Sequence, residues 1–367
     1  MENISVQDIC SSLEDFAPPA LQESWDNSGL IVGSPSQPVG KVLLTIDVTE
    51  AVVAEAVEQQ AQMIVSHHPP ILSGIRQLTG KTDVQRAIIS AVRHRIAIYA
   101  AHTSIDAAWG GVSHRMAQKL GLGNIRVLSP REGGLRKLVA YIPAGHFEQV
   151  RDAVFEAGAG CSGNYDCCGY SAEGKGTFRA LEGAHPFVGQ LGKRHAEPEI
   201  RFETVFPSHL QRRVVEALLQ AHPYEEAAFD ILTLQNPDRQ AGLGVTGVFA
   251  SPVSEHRFLQ MLKETFAAKM IRHTRLRGGE IRKAALCGGS GSSLLEHAIR
   301  SHADVLVTAD CKYHQFAEAE DSILLADLGH FESEQYTKEI FYDVLMKKFP
   351  NFAVQFSKIN TNPINYL

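Results

Sequence analysis

At 367 residues the chain exceeds one ordinary hydrophobic core and is expected to form two or three domains. Hydrophobic residues make up 44% and charged residues 21%, and the net charge of −6 comes without a basic run or stripe; this fits a soluble globular protein and argues against a dedicated nucleic-acid binder. No stretch approaches the roughly 20 apolar residues of a membrane span, and the opening MENISVQDICSSLEDF lacks the apolar core of a signal peptide. Cys10, Cys161, Cys167, Cys168, Cys287 and Cys311 form no CxxC pair, so mostly buried thiols and a cytoplasmic location are expected.

The first third alternates short apolar runs with helical patterns. KVLLTID (41–47) reads as a strand, TEAVVAEAVEQQ (49–60) as a helix with Thr49 as N-cap, and QMIVSHH (62–68) as the next strand. A helix over 84–94 and a strand over 95–103 follow, an alternation that favours βαβ units and a mainly parallel sheet. The segment 110–124 makes a further helix between glycines.

From about residue 133 the character changes. A strand–helix unit opens, a Gly/Cys/Tyr-rich stretch from Cys161 to Gly176 reads as a loop, and 199–207, 208–222 and 227–235 read as strand, helix and strand. That order suits a compact ferredoxin-like α+β module. QNPDRQAGLG (235–244) reads as an exit linker, after which α/β alternation resumes and ends in one long helix with Phe341, Val344, Leu345 and Phe349 on a common face. The simplest organisation is an α/β domain interrupted by an inserted module.

Candidate chemistry lies where predicted strands end, as in open α/β sheets. In SHHPP (66–70), consecutive strand residues face opposite sides, but Pro69 and Pro70 turn the chain out and can aim His67 and His68 at one place. AAHTSIDAAWGG (100–111) sets His102 four residues before Asp106, although Asp106 reads equally as a turn cap. In DLGHFESEQY (327–336), His330 and Glu334 share a helix face at i, i+4, with Asp327 and Glu332 as caps or supports. Alone, each reads as a polar loop or a surface pair. Together they supply more imidazole and carboxylate than one tetrahedral ion takes, and suit two divalent ions. Such ligands admit Zn, Fe or Mn. Weaker candidates are CGGSGSS (287–293) as a phosphate cradle or a tight turn, Asp310, Lys312, Tyr313 and His314 as substrate contacts or caps, and WDNSGL (25–30), where Trp25 is expected to pack while Asp26 and Asn27 face the site.

WDNSGL, VSHHPP, HTSIDAAWGG, TAD followed by KYH, and GHFESE, in this order, resemble the Nif-three-like dinuclear-metal family of GTP cyclohydrolase type 2 homologues over nearly the whole chain. The middle region, with AGAGCSGNYDCC and AHPYEEAAFDI, resembles the PII-like (CutA-like) module that some members carry. The resemblance implies an α/β fold: a split metal-binding domain over 1–130 and 239–367 with a strand-end dinuclear site, interrupted by a PII-like insert over 131–238. It implies His67, His68, Asp106, His330 and Glu334 as metal ligands and His102 as a catalytic residue beside them. A toroidal homohexamer without membrane association is implied as well. This sequence has Ala309 where relatives commonly have Gly, and Val245 where Arg is frequent.

The function expected from residues and resemblance together is metal-dependent hydrolysis of a nucleotide-like small molecule. His102 or Glu332 would manage protons, and the substrate would lie over CGGSGSS and Lys312. The alternative is a non-catalytic metal-binding or regulatory assembly protein whose PII-like insert acts as a sensor.

Overall fold

The computed structural model describes residues 4–367; residues 1–3, which open the N-terminal segment read above, lie outside it. The chain divides into two compact units, one formed by Met1–Ser129 with Ala241–Leu367 and the other by Pro130–Gln240.

The split unit contains two sheets. In the first, Lys41–Thr45, Met63–Ser66 and Ala97–Ala100 run parallel, Ala353–Phe356 adds a parallel edge, and Gly29–Val32 an antiparallel one. Every residue of Met63–Ser66 and Ala97–Ala100 is buried, which is why the sequence shows apolar runs there and not alternation. Val42, Leu44, Met63, Val65 and Tyr99 pack with residues of the helices Val6–Phe16 and Thr337–Lys348. Leu43, Ile64 and Ile98 pack on the other face with residues of Glu50–Glu58 and Asp83–Arg93. Thr49 caps the first of these two helices by accepting the Val52 N–H, as its spacing predicts.

In the second sheet Glu280–Leu286, Val305–Thr308 and Leu324–Asp327 are parallel. Its remaining strands are Arg272–His273 at one end, and Asp238–Ser254 and Gly123–Arg131 at the other. Ala284, Leu286, Val305, Val307 and Leu324 meet the apolar face of the helix Glu255–Phe266, and Val245 is buried in the same cluster. On the other face Ala285, Leu306 and Leu325 pack with Leu295 and Ala298, so both sheets are covered on two faces; the first contains four parallel strands and the second three.

The second unit runs Leu135–Pro143, helix Phe147–Glu156, Gly169–Arg179, Arg194–Pro207, helix Gln211–Ala221 and Phe229–Thr233. Its antiparallel sheet has the spatial order second, third, first, fourth strand, a βαββαβ arrangement. Leu138, Ala140, Ile142, Phe202 and Phe206 pack with Val150, Val154, Val214 and Leu218 of the two helices.

Several expectations need correction. The second half of the stretch read as a loop from Cys161 is the strand Gly169–Arg179, which pairs with Arg194–Pro207 along its whole length. Its glycines and polar residues are mostly exposed, so no apolar alternation marks it. The segment read as an exit linker already forms the start of Asp238–Ser254. The last helix is two, His330–Glu334 and Thr337–Lys348, and the edge strand Ala353–Phe356 follows them. All six thiols are free, with Cys10, Cys287 and Cys311 buried but Cys161, Cys167 and Cys168 exposed.

Candidate metal centre

The carboxyl ends of the two sets of parallel strands meet within the split unit. From the first sheet come Asp47 after Lys41–Thr45, His67 and His68 after Met63–Ser66, and His102 and Asp106 after Ala97–Ala100. From the second come Asp310 after Val305–Thr308, and His330 and Glu334 after Leu324–Asp327. The ligand atoms of three sets each lie within 4.8 Å of one another: His67, Asp106 and Glu334; His68, His330 and Glu334; and His67, His68 and His102. All six residues singled out from the sequence are thus brought together.

Each imidazole is held by its Nδ1. His67 Nδ1 lies 3.0 Å from the carbonyl oxygen of Ala101, His68 Nδ1 2.7 Å from Asp47, His102 Nδ1 2.8 Å from Asp26, and His330 Nδ1 2.6 Å from Asp310. These partners are acceptors, so each Nδ1 carries the hydrogen and each Nε2 of a neutral ring presents a lone pair. Acceptors that fix the tautomer and aim of an imidazole are the usual surroundings of a metal-binding histidine. Asp310 has a backbone φ of 56°, a left-handed conformation that few residues other than glycine, asparagine and aspartate adopt, in the arrangement that brings its carboxylate to His330.

The Nε2 atoms of His67, His68 and His330 converge on Glu334. Glu334 Oε2 is 3.1 Å from Nε2 of both His68 and His330, and its Oε1 is 3.5 Å from His67 Nε2. His67 Nε2, Asp106 Oδ1 and Glu334 Oε2 are nevertheless buried atoms that make no hydrogen bond of acceptable geometry. A buried polar atom left this way costs about 1–3 kcal/mol, so three at one point is a costly arrangement for the protein alone. Burial and the neighbouring Glu334 charge raise the Asp106 carboxyl above its ordinary value. Burial also opposes ionisation of Glu334, but the surrounding imidazoles hold it well below the carboxylate range. Against the desolvation that would depress them, Asp47 and Glu334 push His68 up to about 10, and Glu334 and Asp310 push His330 up to about 9. Without a cation, the cluster recruits protons to balance its carboxylates.

The weaker sequence candidates fall out differently. In CGGSGSS, the Gly288, Gly289 and Gly291 N–H groups donate to the hydroxyls of Ser113, Ser333 and Thr308, so these three are already bonded within the protein. The loop passes close to Glu334, where only glycine fits: a Cβ at Gly289 would stand 2.2 Å from Glu334 Oε1. Trp25 does not pack inside; it is 57% exposed, with its ring edge-on to His102 at 5.7 Å. Asp26 holds His102 and also takes the Thr103 N–H, while Asn27 donates to the Ile71 carbonyl. Lys312, Tyr313 and His314 are exposed. Asp327 pairs with Arg272 and accepts the Cys311 N–H, and Glu332 is buried and accepts from Asn362. Asp47 was missed in the sequence, although it too follows a strand end.

Among known proteins, a family model described as Duf34/NIF3 (NGG1p interacting factor 3) matches residues 4–363. A Bacillus subtilis protein named GTP cyclohydrolase 1 type 2 homolog is 35% identical over 375 aligned positions, covering 100% of both chains. A protein of the same name from Halalkalibacterium halodurans is 36% identical over 98% of both. The crystal structure of a Bacillus cereus protein related to NIF3 superposes with a TM-score of 0.88 at 34% identity, and a Staphylococcus aureus structure with 0.78 at 27%, each covering 100% of both chains. Similarity of this extent, by sequence and by fold, makes the chain a member of the DUF34/NIF3 family.

Proposed function

We propose that this protein binds two divalent metal ions and uses them to hydrolyse a nucleotide-like small molecule. The observation that carries the reading is the convergence of three unpartnered buried atoms, on His67, Asp106 and Glu334, among imidazoles whose Nδ1 atoms are already bound. That donor set fits divalent Zn, Fe or Mn. His67, Asp106 and Glu334 would hold one ion, and His68, His330 and Glu334 the other, with Glu334 shared between them. Two such ions supply Lewis-acid activation of water and of a substrate oxygen at neutral pH.

The chain's own residues do the rest. Asp47, Asp310 and the Ala101 carbonyl fix the rings of His68, His330 and His67, so no reorientation is needed when the ligands act. His102 stands beside His67 and His68 with Nδ1 bound to Asp26, which leaves Nε2 to take a proton from water and return it to a leaving group. The exposed Trp25 ring against His102 offers a planar substrate a surface to lie on. The substrate class is supported by the name of the relatives, GTP cyclohydrolase 1 type 2 homolog. With this reading go a PII-like identity for Pro130–Gln240, a homohexameric assembly that sedimentation would test, and a cytoplasmic location. No described helix is long and apolar enough to cross a membrane.

Elemental analysis after aerobic, chelator-free purification should find about two ions per chain, and fewer than about one would overturn the metal reading. Metal-loaded protein should turn over one member of a nucleotide panel, with His68→Ala abolishing turnover. Tight metal binding with every substrate inert would overturn the hydrolase reading alone.

A further inference from the structure

The last residues of the chain, 357–367, form neither helix nor strand, yet they are tied down. The Ser357 N–H donates to the Leu44 carbonyl at 2.8 Å, and the Lys358 N–H to Glu55 at 2.9 Å, which docks the tail on the first sheet and its covering helix. It then reaches the candidate metal centre. Thr361 Oγ1 donates to Asp47 Oδ2 at 2.6 Å, and Asn362 Nδ2 donates to Glu332 Oε1 at 3.1 Å.

Both acceptors matter to the histidines. Asp47 Oδ1 is the atom that receives His68 Nδ1, so the carboxylate is bonded on one oxygen to the imidazole and on the other to the tail. A carboxylate held at one oxygen can still rotate; held at both, its plane is fixed, and with it the ring it orients. Glu332 sits in the helix between His330 and Glu334 and is itself buried. Two adjoining tail residues therefore grip one group at a strand end of the first sheet and one in the ligand-bearing helix after the second.

We infer that Thr361 is a positioning residue of the metal centre, acting through Asp47 on His68, and that Asn362 braces the helix carrying His330 and Glu334. This rests on the metal-centre reading above. The ion held by His68, His330 and Glu334 depends on the tail, while the ligands His67 and Asp106 lie outside the gripped groups.

The test uses the full-length chain and Zn(II), titrated in competition with a chromophoric chelator so that the two affinities are read separately. Thr361→Val keeps the shape and removes the hydroxyl. It should weaken one ion by about 10–100-fold and leave the other unchanged, and Thr361→Ser should restore the loss. Ser254→Ala, which removes the N-cap of the helix Glu255–Phe266 away from the tail, serves as the stability control and should not change either affinity. Thr361→Val with a lowered melting temperature but wild-type affinities would make the contact merely structural and overturn the inference alone. A wild-type chain that binds no metal would overturn it together with the reading on which it rests.

Discussion

The split unit and the inserted unit treat buried polar groups in opposite ways. In Pro130–Gln240 the core is aliphatic and aromatic, and the buried polar side chains are partnered. Tyr224 donates to Glu199, Thr204 donates to the Cys168 carbonyl, and His222 bonds the Tyr141 carbonyl. Among the described residues, every buried side-chain nitrogen or oxygen without a partner lies in the split unit, and those of His67, Asp106 and Glu334 meet at one point. On the proposed reading, the deficit is where a bound ion would complete the bonding.

That contrast can be broken by experiment, most severely at the shared ligand. Glu334→Gln should lose both ions, reducing metal content from about two per chain to well under one by elemental analysis; retention of both would remove the basis of the contrast. Asp106→Asn should lose only the ion shared with His67, leaving about one per chain. The next effect is in protons. His68 and His330, raised to about 10 and about 9 in the metal-free chain, carry protons at pH 7 that a metal must displace. Affinity should therefore rise with pH and level off above about 10, and calorimetry in buffers of different ionisation enthalpy should register at least about two protons released per chain, with the raised Asp106 carboxyl adding to the count.

The smallest effect belongs to the inserted unit. Burial raises the Glu199 carboxyl above its ordinary value. The native state thus binds its proton more tightly than the unfolded chain does, and stability falls as pH climbs through the raised value. Glu199→Gln should remove this loss, raising the melting temperature at pH 8 by about 1–2 °C while metal content stays at the wild-type level. A change in metal content would show that the units are not independent in this respect.

How much of this could be read beforehand follows from distance along the chain. The candidate site residues announce themselves locally: adjacent histidines before two prolines, His102 four residues before Asp106, and the i, i+4 pair of His330 and Glu334. Their supports do not. Asp47 meets His68 from 21 residues away, and Thr361 meets Asp47 across 314. Such contacts are products of the sheet order, not of any local pattern. Asp47 was still within reach, because the strand-end rule that finds the histidines also finds it. The strand Gly169–Arg179 escaped for another reason: an exposed, glycine-rich edge has no buried face to give it a period of two. Trp25 escaped because a large apolar side chain is ordinarily counted toward a core, whereas this one lies beside His102 in the open.

The division of the ligands across the insert also gives the site a birth order. His68 and His330 are 262 residues apart, so at 5–20 residues per second a ribosome delivers the second roughly 13–50 s after the first. Until then the nascent chain holds three imidazoles of the candidate site, His67, His68 and His102, and lacks the carboxylate proposed to serve both ions. The first sheet also waits, since its edge strand Ala353–Phe356 is made later still. A chain stalled or cut inside the insert lacks His330 and Glu334, so the proposed paired arrangement becomes available only after the second half of the split unit is made.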